Sequence, residues 1–586
     1  MLLKKYRALI VLAIAVSVIY GRGHILQINK LGFDSYEPIT IASDFDAAAT
    51  YYPRAKAVFE GDLLVGDFNV AEYVASPAWM SIISPIIMGN FAKLFGSMKM
   101  GMVVSDFVFP AGIFLLFYWF ISLLTKRKLV ALVAACFFIF GPGLPFWQFT
   151  DNIIPPIFSF PFDHIDWPKL TMPFYLLAAI FTYLAFTGKR NLMIGLAGIF
   201  AGALFFTDLY EWVTFYTGLG FLLAGFILTR AYKDAKIIGS IIAIGLAVSI
   251  GYWMNFWDLT HLPQYQDLVT RVGVERSHGL RFFTWGIYAR VAVISALLSW
   301  LWRKRDTQTT AYLLAFILPI FVTLNLQVIT GVVPQPDHWA RPLLPFLYGA
   351  LAVIALAVHE RYLKRISMRW WIVSGVLLLM LLFSVEGYYL VKVGERGQTH
   401  DAFKGAEVTR AQHLMPKHGA ASYRWMKDNF KKGTVVGVIS PVTNLDLQLY
   451  TNTKLFLPYG LNTIAPNEEI WQRFFYLAHL YNVPEHKLKG LLTEDSEMGL
   501  YLFHNMFYSE ELNSYFQAGN SQEVPPEVFE EKIVRYRDMD INNPPFKLDY
   551  VYFGPNEKAL GAEDPVIQNP KLRKIYEDKE IQIYQL

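Results

Sequence analysis

Long apolar runs of about twenty residues, separated by short and often basic links, dominate the first two-thirds of this chain. A helix of that length crosses a hydrocarbon core of about 30 Å. Inside lipid every backbone N–H and C=O must be satisfied within the segment, so such runs have little choice but to be helical. They fall at 8–27, 100–124, 129–149, 170–187, 191–207, 210–229, 237–257, 284–302, 310–331, 341–358 and 370–390. They predict about eleven spans in a membrane domain over residues 1–390. Charge density rises after Val391 and long apolar runs stop, which sets off residues 391–586 as a second domain. Composition agrees: 17% of residues are charged, against about 25% in an average soluble domain. A net charge of +4 over 586 residues gives no reason to expect nucleic acid as a partner. The single cysteine, Cys136, lies inside an apolar run, so no intrachain disulfide forms.

Lys4, Lys5 and Arg7 precede the first run, and no clear small-x-small site follows it. The run therefore reads as an anchor with its N-terminus inside, in preference to a cleaved signal peptide. Segment 77–95 is apolar but interrupted by Pro85. Read as a helix lying on the outer surface, it leaves Lys126–Lys128, Lys189/Arg190, Arg230/Lys233/Lys236, Arg303–Arg305 and Arg361–Arg369 on the side of the N-terminus. That is the positive-inside pattern. The expectation is a multi-pass protein of the plasma (inner) membrane with a cytoplasmic N-terminus. Segments 28–99, 150–169 and 258–283 and the C-terminal domain then lie outside.

In the C-terminal domain Thr434–Ile439, Leu548–Phe553 and Glu580–Tyr584 read as strands. Ser422–Phe430, Glu468–Tyr481 and Pro526–Arg537 read as helices. Strands alternating with helices suggest a soluble α/β unit. It carries no phosphate loop, metal cluster or nucleophile elbow, so it either stabilises the protein or shapes an acceptor site. The predicted fold class is thus mainly α, a polytopic membrane domain followed by a soluble extracytoplasmic α/β domain.

Chemistry concentrates in the outer segments. In Ser43–Asp62 of the first, Ala48, Tyr51, Tyr52, Ala55, Val58 and Phe59 share one helical face, with Asp44 and Asp46 at the helix start. One aspartate is a standard N-cap; two carboxylates also suit proton removal or cation binding. The second segment holds Asp151, Asp163, His164 and Asp166. Asp163, His164 and Asp166 either form a solvated turn or join Asp44 and Asp46 around Mg²⁺ or Mn²⁺. In the third, Arg271, Glu275, Arg276, His278 and Arg281 form a mixed run, read as a solvated face or a phosphate contact. Asp106 and Arg290 lie about six residues inside their spans, roughly 9 Å deep. Charge at that depth faces a partner or a cavity, so the two are expected to pair or to line an outward cavity.

The order of these features resembles the GT-C superfamily of membrane glycosyltransferases. The acidic first loop precedes an aromatic-rich helix ending in Glu60-Gly61. Ser76-Pro-Ala-Trp79 to Leu94-Phe-Gly96 resembles the family's juxtamembrane helix. Asp151 follows the third span, and His338-Trp-Ala-Arg341-Pro-Leu-Leu-Pro345 resembles its late arginine loop. The resemblance implies an inverting transfer of sugar from a polyprenyl-phosphate-linked donor to a glycan, lipid or protein acceptor on the outer face. It implies Asp46 as base, with Asp44 second, Asp151 as a further acid, and Arg341 with His338 on the donor phosphate. No Trp-Trp-Asp motif stands in residues 391–586, which speaks against sequon-directed protein N-glycosylation. The alternatives are a polytopic transporter or lipid flippase, and a non-catalytic scaffold.

Overall fold

The computed structural model describes residues 2–62, 66–140, 164–188, 191–273, 275–276, 278–280, 285–303, 305–333, 336–362, 413–416, 419–494, 496–507, 523–537 and 539–586. The chain is mainly helical with few strands. Among the described residues four helices are long and apolar enough to cross a membrane: Arg7–Leu31, Met98–Thr125, Leu209–Leu228 and Arg341–Tyr362. A fifth span arises if Tyr232–Val248 and Ile250–Thr260, bent by 53° at their junction, are taken together.

The remaining expected runs are helical but shorter. Lys128–Phe140, Met172–Gly188, Asn191–Ala203 and Trp285–Trp302 overlap 129–149, 170–187, 191–207 and 284–302. The run 310–331 is broken into Thr307–Ile317, Ile320–Thr323 and Gln327–Thr330, because Pro319 cannot continue the hydrogen-bond ladder of the helix before it. Residues 141–149 and the run 370–390 lie outside the described residues. Pro85, an apparent interruption, sits in the first turn of Ile83–Leu94, where the missing N–H has no intrahelical partner to lose. Twelve residues rise only about 18 Å, too short to cross a core of about 30 Å.

The basic links gather at one end of the bundle. Lys126 pairs with Asp306 at 3.5 Å, and Arg127 with Glu360 at 3.2 Å. Arg305 also pairs with Glu360. Asp306 additionally caps Thr307–Ile317, accepting from the Thr309 N–H at 2.9 Å. Between the ends the helices pack through aromatic rings, with Phe117 against Phe138 at 3.9 Å and Phe316 against Phe346 at 4.5 Å.

Two short strands, β1 (Glu275–Arg276) and β2 (Val332–Val333), pair antiparallel. Five more form a second sheet in residues 435–585: β3 (Val435–Gly437), β4 (Lys454–Leu455), β5 (Tyr550–Phe553), β6 (Arg573–Glu577) and β7 (Gln582–Gln585), in the order β4-β3-β5-β7-β6. β3 runs parallel to β4 and β5, and β7 antiparallel to β5 and β6. β3 and β5 fall within two of the expected strands and β7 overlaps the third; β4 and β6 carry too little apolar pattern to be foreseen. Helices Ala420–Asn429, Asn467–Leu480 and Pro526–Arg537 stand at the expected places.

This part is docked onto the first loop by buried polar contacts. Asp67 accepts from the Thr463 hydroxyl at 2.5 Å and the Ile464 N–H at 3.1 Å. The Asn462 side chain donates to the Ala49 carbonyl at 2.7 Å. The Lys56 ammonium caps the end of Pro441–Tyr450 through the carbonyls of Gln448, Leu449 and Thr451. Arg271, expected on a solvated or phosphate-facing run, is instead fully buried. Its guanidinium donates to the carbonyls of Gly460 and Thr463 and to Asn467 Oδ1. A buried guanidinium is costly unless its donors are paired, and these acceptors take three of its five N–H groups.

Asp446 and Glu557 are buried carboxyls beside this sheet. Burial pushes Asp446 up to about 8, against the hydrogen bond from Tyr423, and pushes Glu557 up to about 7. Both hold protons in the fold that an unfolded chain releases near about pH 4. Their contribution is therefore fully present at low pH and is lost as pH rises through about 7 to 8. The purified protein should melt at a lower temperature at pH 8.5 than at pH 5.5. Asp446→Asn, which keeps an acceptor for Tyr423, should flatten that dependence. An equally steep profile in the variant would remove Asp446 as its source.

Candidate active site

A cavity of about 990 Å³ opens at the end of the bundle away from Lys126, Arg127, Arg305 and Glu360. Each expected outer segment and the links at 207–210 and 338–341 contribute to its wall. The residues that carry chemistry are Asp46, Tyr51, Arg54, His164, Asp166, Asp208, Asp258, His338 and Arg341. Aromatic rings of Trp79, Trp167, Phe205, Tyr210, Tyr252 and Phe256 fill much of the remaining wall.

The first loop enters through a π-helical turn, Ala47–Tyr51, that runs into helix Tyr52–Phe59. Asp44 is the local cap: its Oδ1 accepts from the Ala47 N–H at 3.0 Å, and it does not line the cavity. Asp46 makes no capping bond, and its side chain is 58% exposed. The expected carboxylate pair thus divides into one cap and one acid facing the cavity. Gly89 makes this possible from behind. A Cβ there would lie 2.6 Å from the Ala55 carbonyl, so only glycine lets Ile83–Leu94 press against the helix behind Arg54. Arg54 in turn donates to the Ser81 carbonyl at 2.6 Å. Asn255 binds both the N–H and the carbonyl of Ala78, at 2.9 and 2.6 Å, so segment 74–82 is pinned along one wall.

Opposite Asp46, His164 brings Nε2 to within 3.6 Å of its carboxylate. Burial pulls the imidazole down, but Asp46, with Asp44 and Asp166 nearby, outweighs it and holds the pKa above the usual histidine value. Asp166 is buried, with Oδ1 unpaired among the described residues. Desolvation is the main force raising its carboxyl to about 6, and the charge of Asp208 adds to it. Asp208 caps Leu209–Leu228 through the Tyr210 N–H at 3.1 Å. Burial also raises its carboxyl, while His338 and Arg341 lower it. Arg341 is buried, and its guanidinium lies 5.2 Å over the Trp167 ring. His338 lies 5.0 Å from the ring of Tyr210. Asp46, Asp166 and Asp208 therefore share the cavity wall with Arg341 and His338.

Asp46, His164, Asp166, His338 and Arg341 come together as candidates for one site. Asp151 and Asp163 lie outside the described residues. Asp106 and Arg290 neither line the cavity nor pair with each other. Asp106 is held by Lys169 at 2.5 Å and His24 at 2.6 Å. Arg290 is partly buried on Trp285–Trp302. Tyr51 was read only as part of a helical face, and Arg54, Asp208 and Asp258 went unread in the sequence. Asp208 had only one signal, an acid in a two-residue link between apolar runs. Among the described residues no group of three or more His, Cys, Asp or Glu is placed to hold a metal ion. Asp163, one of the residues expected around Mg²⁺ or Mn²⁺, lies outside the described residues, so that set is described only in part. Compared with protein-family models and with curated proteins, the chain matches none.

Proposed function

We propose that this chain is a GT-C-type membrane glycosyltransferase. In this reading it moves a hexosyl or pentosyl group from a polyprenyl-phosphate donor to a glycan, lipid or protein acceptor on the outer face of the plasma membrane. Eleven spans, a cytoplasmic N-terminus and an extracytoplasmic α/β domain complete the reading. One observation carries it: an acid that is exposed and makes no capping bond, Asp46, shares a cavity with a buried arginine, Arg341, at the end away from the basic links.

The reaction is a direct displacement. A hydroxyl is a poor nucleophile at neutral pH and needs a base within hydrogen-bond reach. Asp46 takes the hydroxyl proton as the acceptor oxygen bonds to the anomeric carbon. The bond from that carbon to the phosphate oxygen breaks, its electron pair leaves with the polyprenyl phosphate, and the anomeric centre inverts. Arg341 meets the growing phosphate charge with a planar pair of donors, and His338 stands beside it. His164, with Nε2 3.6 Å from the Asp46 carboxylate, orients it.

The test is incubation of the purified protein with a panel of polyprenyl-phosphate sugars. The reading expects consumption of one donor and release of polyprenyl phosphate. A panel left intact in the presence of glycan, lipid and peptide acceptors would contradict it.

A further inference from the structure

From the π-turn geometry we infer that the Tyr51 hydroxyl binds the phosphate of the lipid-linked donor beside Arg341, which makes Tyr51 a catalytic residue. The inference rests on the glycosyltransferase reading and assigns its donor site one more group.

The local backbone is the first observation. On an ordinary α-helix residues five apart point about 140° away from each other, and Tyr51 would then share the buried face of Tyr52 and Ala55. Here the Tyr52 N–H closes on the Ala47 carbonyl, five residues back. A π turn of this kind, which is often found at functional sites, brings residues five apart close to register. Asp46 and Tyr51 therefore both reach the cavity, while Ala47–Thr50 and Tyr52 are buried behind them.

The surroundings of the hydroxyl are the second observation. The Tyr51 ring stands edge-on to His164 at 5.4 Å. Its hydroxyl feels the charges of Asp46, Asp166 and Asp208, and also that of Arg341. No described group hydrogen-bonds it. This half-buried phenol beside three acids keeps its proton, since desolvation, then those three carboxylates, push its pKa well above the usual tyrosine value. It therefore has a proton to donate, and of the reacting groups the donor phosphate is the acceptor that gains negative charge during the displacement. The proton stays on the phenol throughout; the contact is a hydrogen bond that strengthens as charge develops.

Tyr51→Phe removes one oxygen and keeps the ring against His164. Measured on the whole chain in detergent, kcat should fall roughly 10²-fold, as on loss of a single donor to a developing oxyanion. The Kd for polyprenyl phosphate alone should weaken roughly five- to tenfold. The acceptor KM and the pH profile of kcat/KM should stay as in the wild type, since Asp46 is untouched. A merely structural tyrosine would lower the melting temperature and leave the Kd alone. Wild-type kcat and Kd in the variant overturn the inference and leave the glycosyltransferase reading standing. A rise in acceptor KM with an unchanged Kd overturns it too, by placing the hydroxyl on the acceptor. Wild-type protein that neither binds polyprenyl phosphate nor transfers sugar overturns the reading itself.

Discussion

Asp46→Asn should lower turnover by about 10²-fold or more while leaving expression and melting temperature nearly unchanged. The separation follows from the first loop. The cap that starts the π turn is Asp44, through the Ala47 N–H, and Asp46 makes no capping bond. Asn at 46 therefore costs no cap, and it cannot take a proton from an acceptor at neutral pH. Donor affinity should survive, because the phosphate is assigned to Arg341 at another part of the wall. Asp44→Asn is the internal control. Asn caps about as well as Asp, and Asp44 does not line the cavity, so its turnover should stay within a few-fold of wild type. Steady-state kinetics with a verified donor and acceptor decide the matter. Equal losses in the two variants would return both carboxylates to one role, and full activity in Asp46→Asn would remove the base.

The second large effect belongs to Arg341. Its guanidinium is buried, lies over Trp167, and acts on Asp208. Truncating one partner of a desolvated charged contact costs about 2–5 kcal/mol. Arg341→Ala should therefore raise the donor Kd by roughly thirtyfold to several thousandfold. Arg341→Lys should recover only part of this, since a point charge lacks the planar fork and stacks poorly on Trp167. Isothermal titration with polyprenyl phosphate reads the effect directly. An unchanged Kd in the alanine variant would detach the phosphate from this residue.

What could be read in advance was whatever depends on period and composition. Apolar runs placed helices where helices stand, because twenty apolar residues have one cheap solution in lipid. Alternation in the C-terminal part placed β3, β5 and β7, whose cores are buried. Two-residue β4 and the polar β6 carry no such pattern. Arg341, His338 and Asp46 were named from the order of features that resembles the GT-C superfamily, and all three line one cavity. The π turn was not. Ala47–Tyr51 would serve an ordinary helix equally well, so Tyr51 was read as sharing one helical face with Tyr52 and Ala55. Asp208 was hidden in a two-residue link between apolar runs. Asp106 was visible as an intramembrane charge, but its partners Lys169 and His24 are 63 and 82 residues away and lie outside any local pattern. Arg271 misled for a related reason. A mixed-charge run usually faces water, and only tertiary contact with Gly460, Thr463 and Asn467 reveals a buried guanidinium.

The most direct test of the central claim is a cryo-EM map of the Asp46→Asn protein with a polyprenyl-phosphate sugar that the wild type consumes. The account predicts density for the phosphate within hydrogen-bond distance of Arg341. The anomeric carbon should be turned toward residue 46, and the lipid chain should leave the cavity into the bilayer. Donor density elsewhere on the protein, with the cavity between Asn at 46 and Arg341 empty, would contradict it.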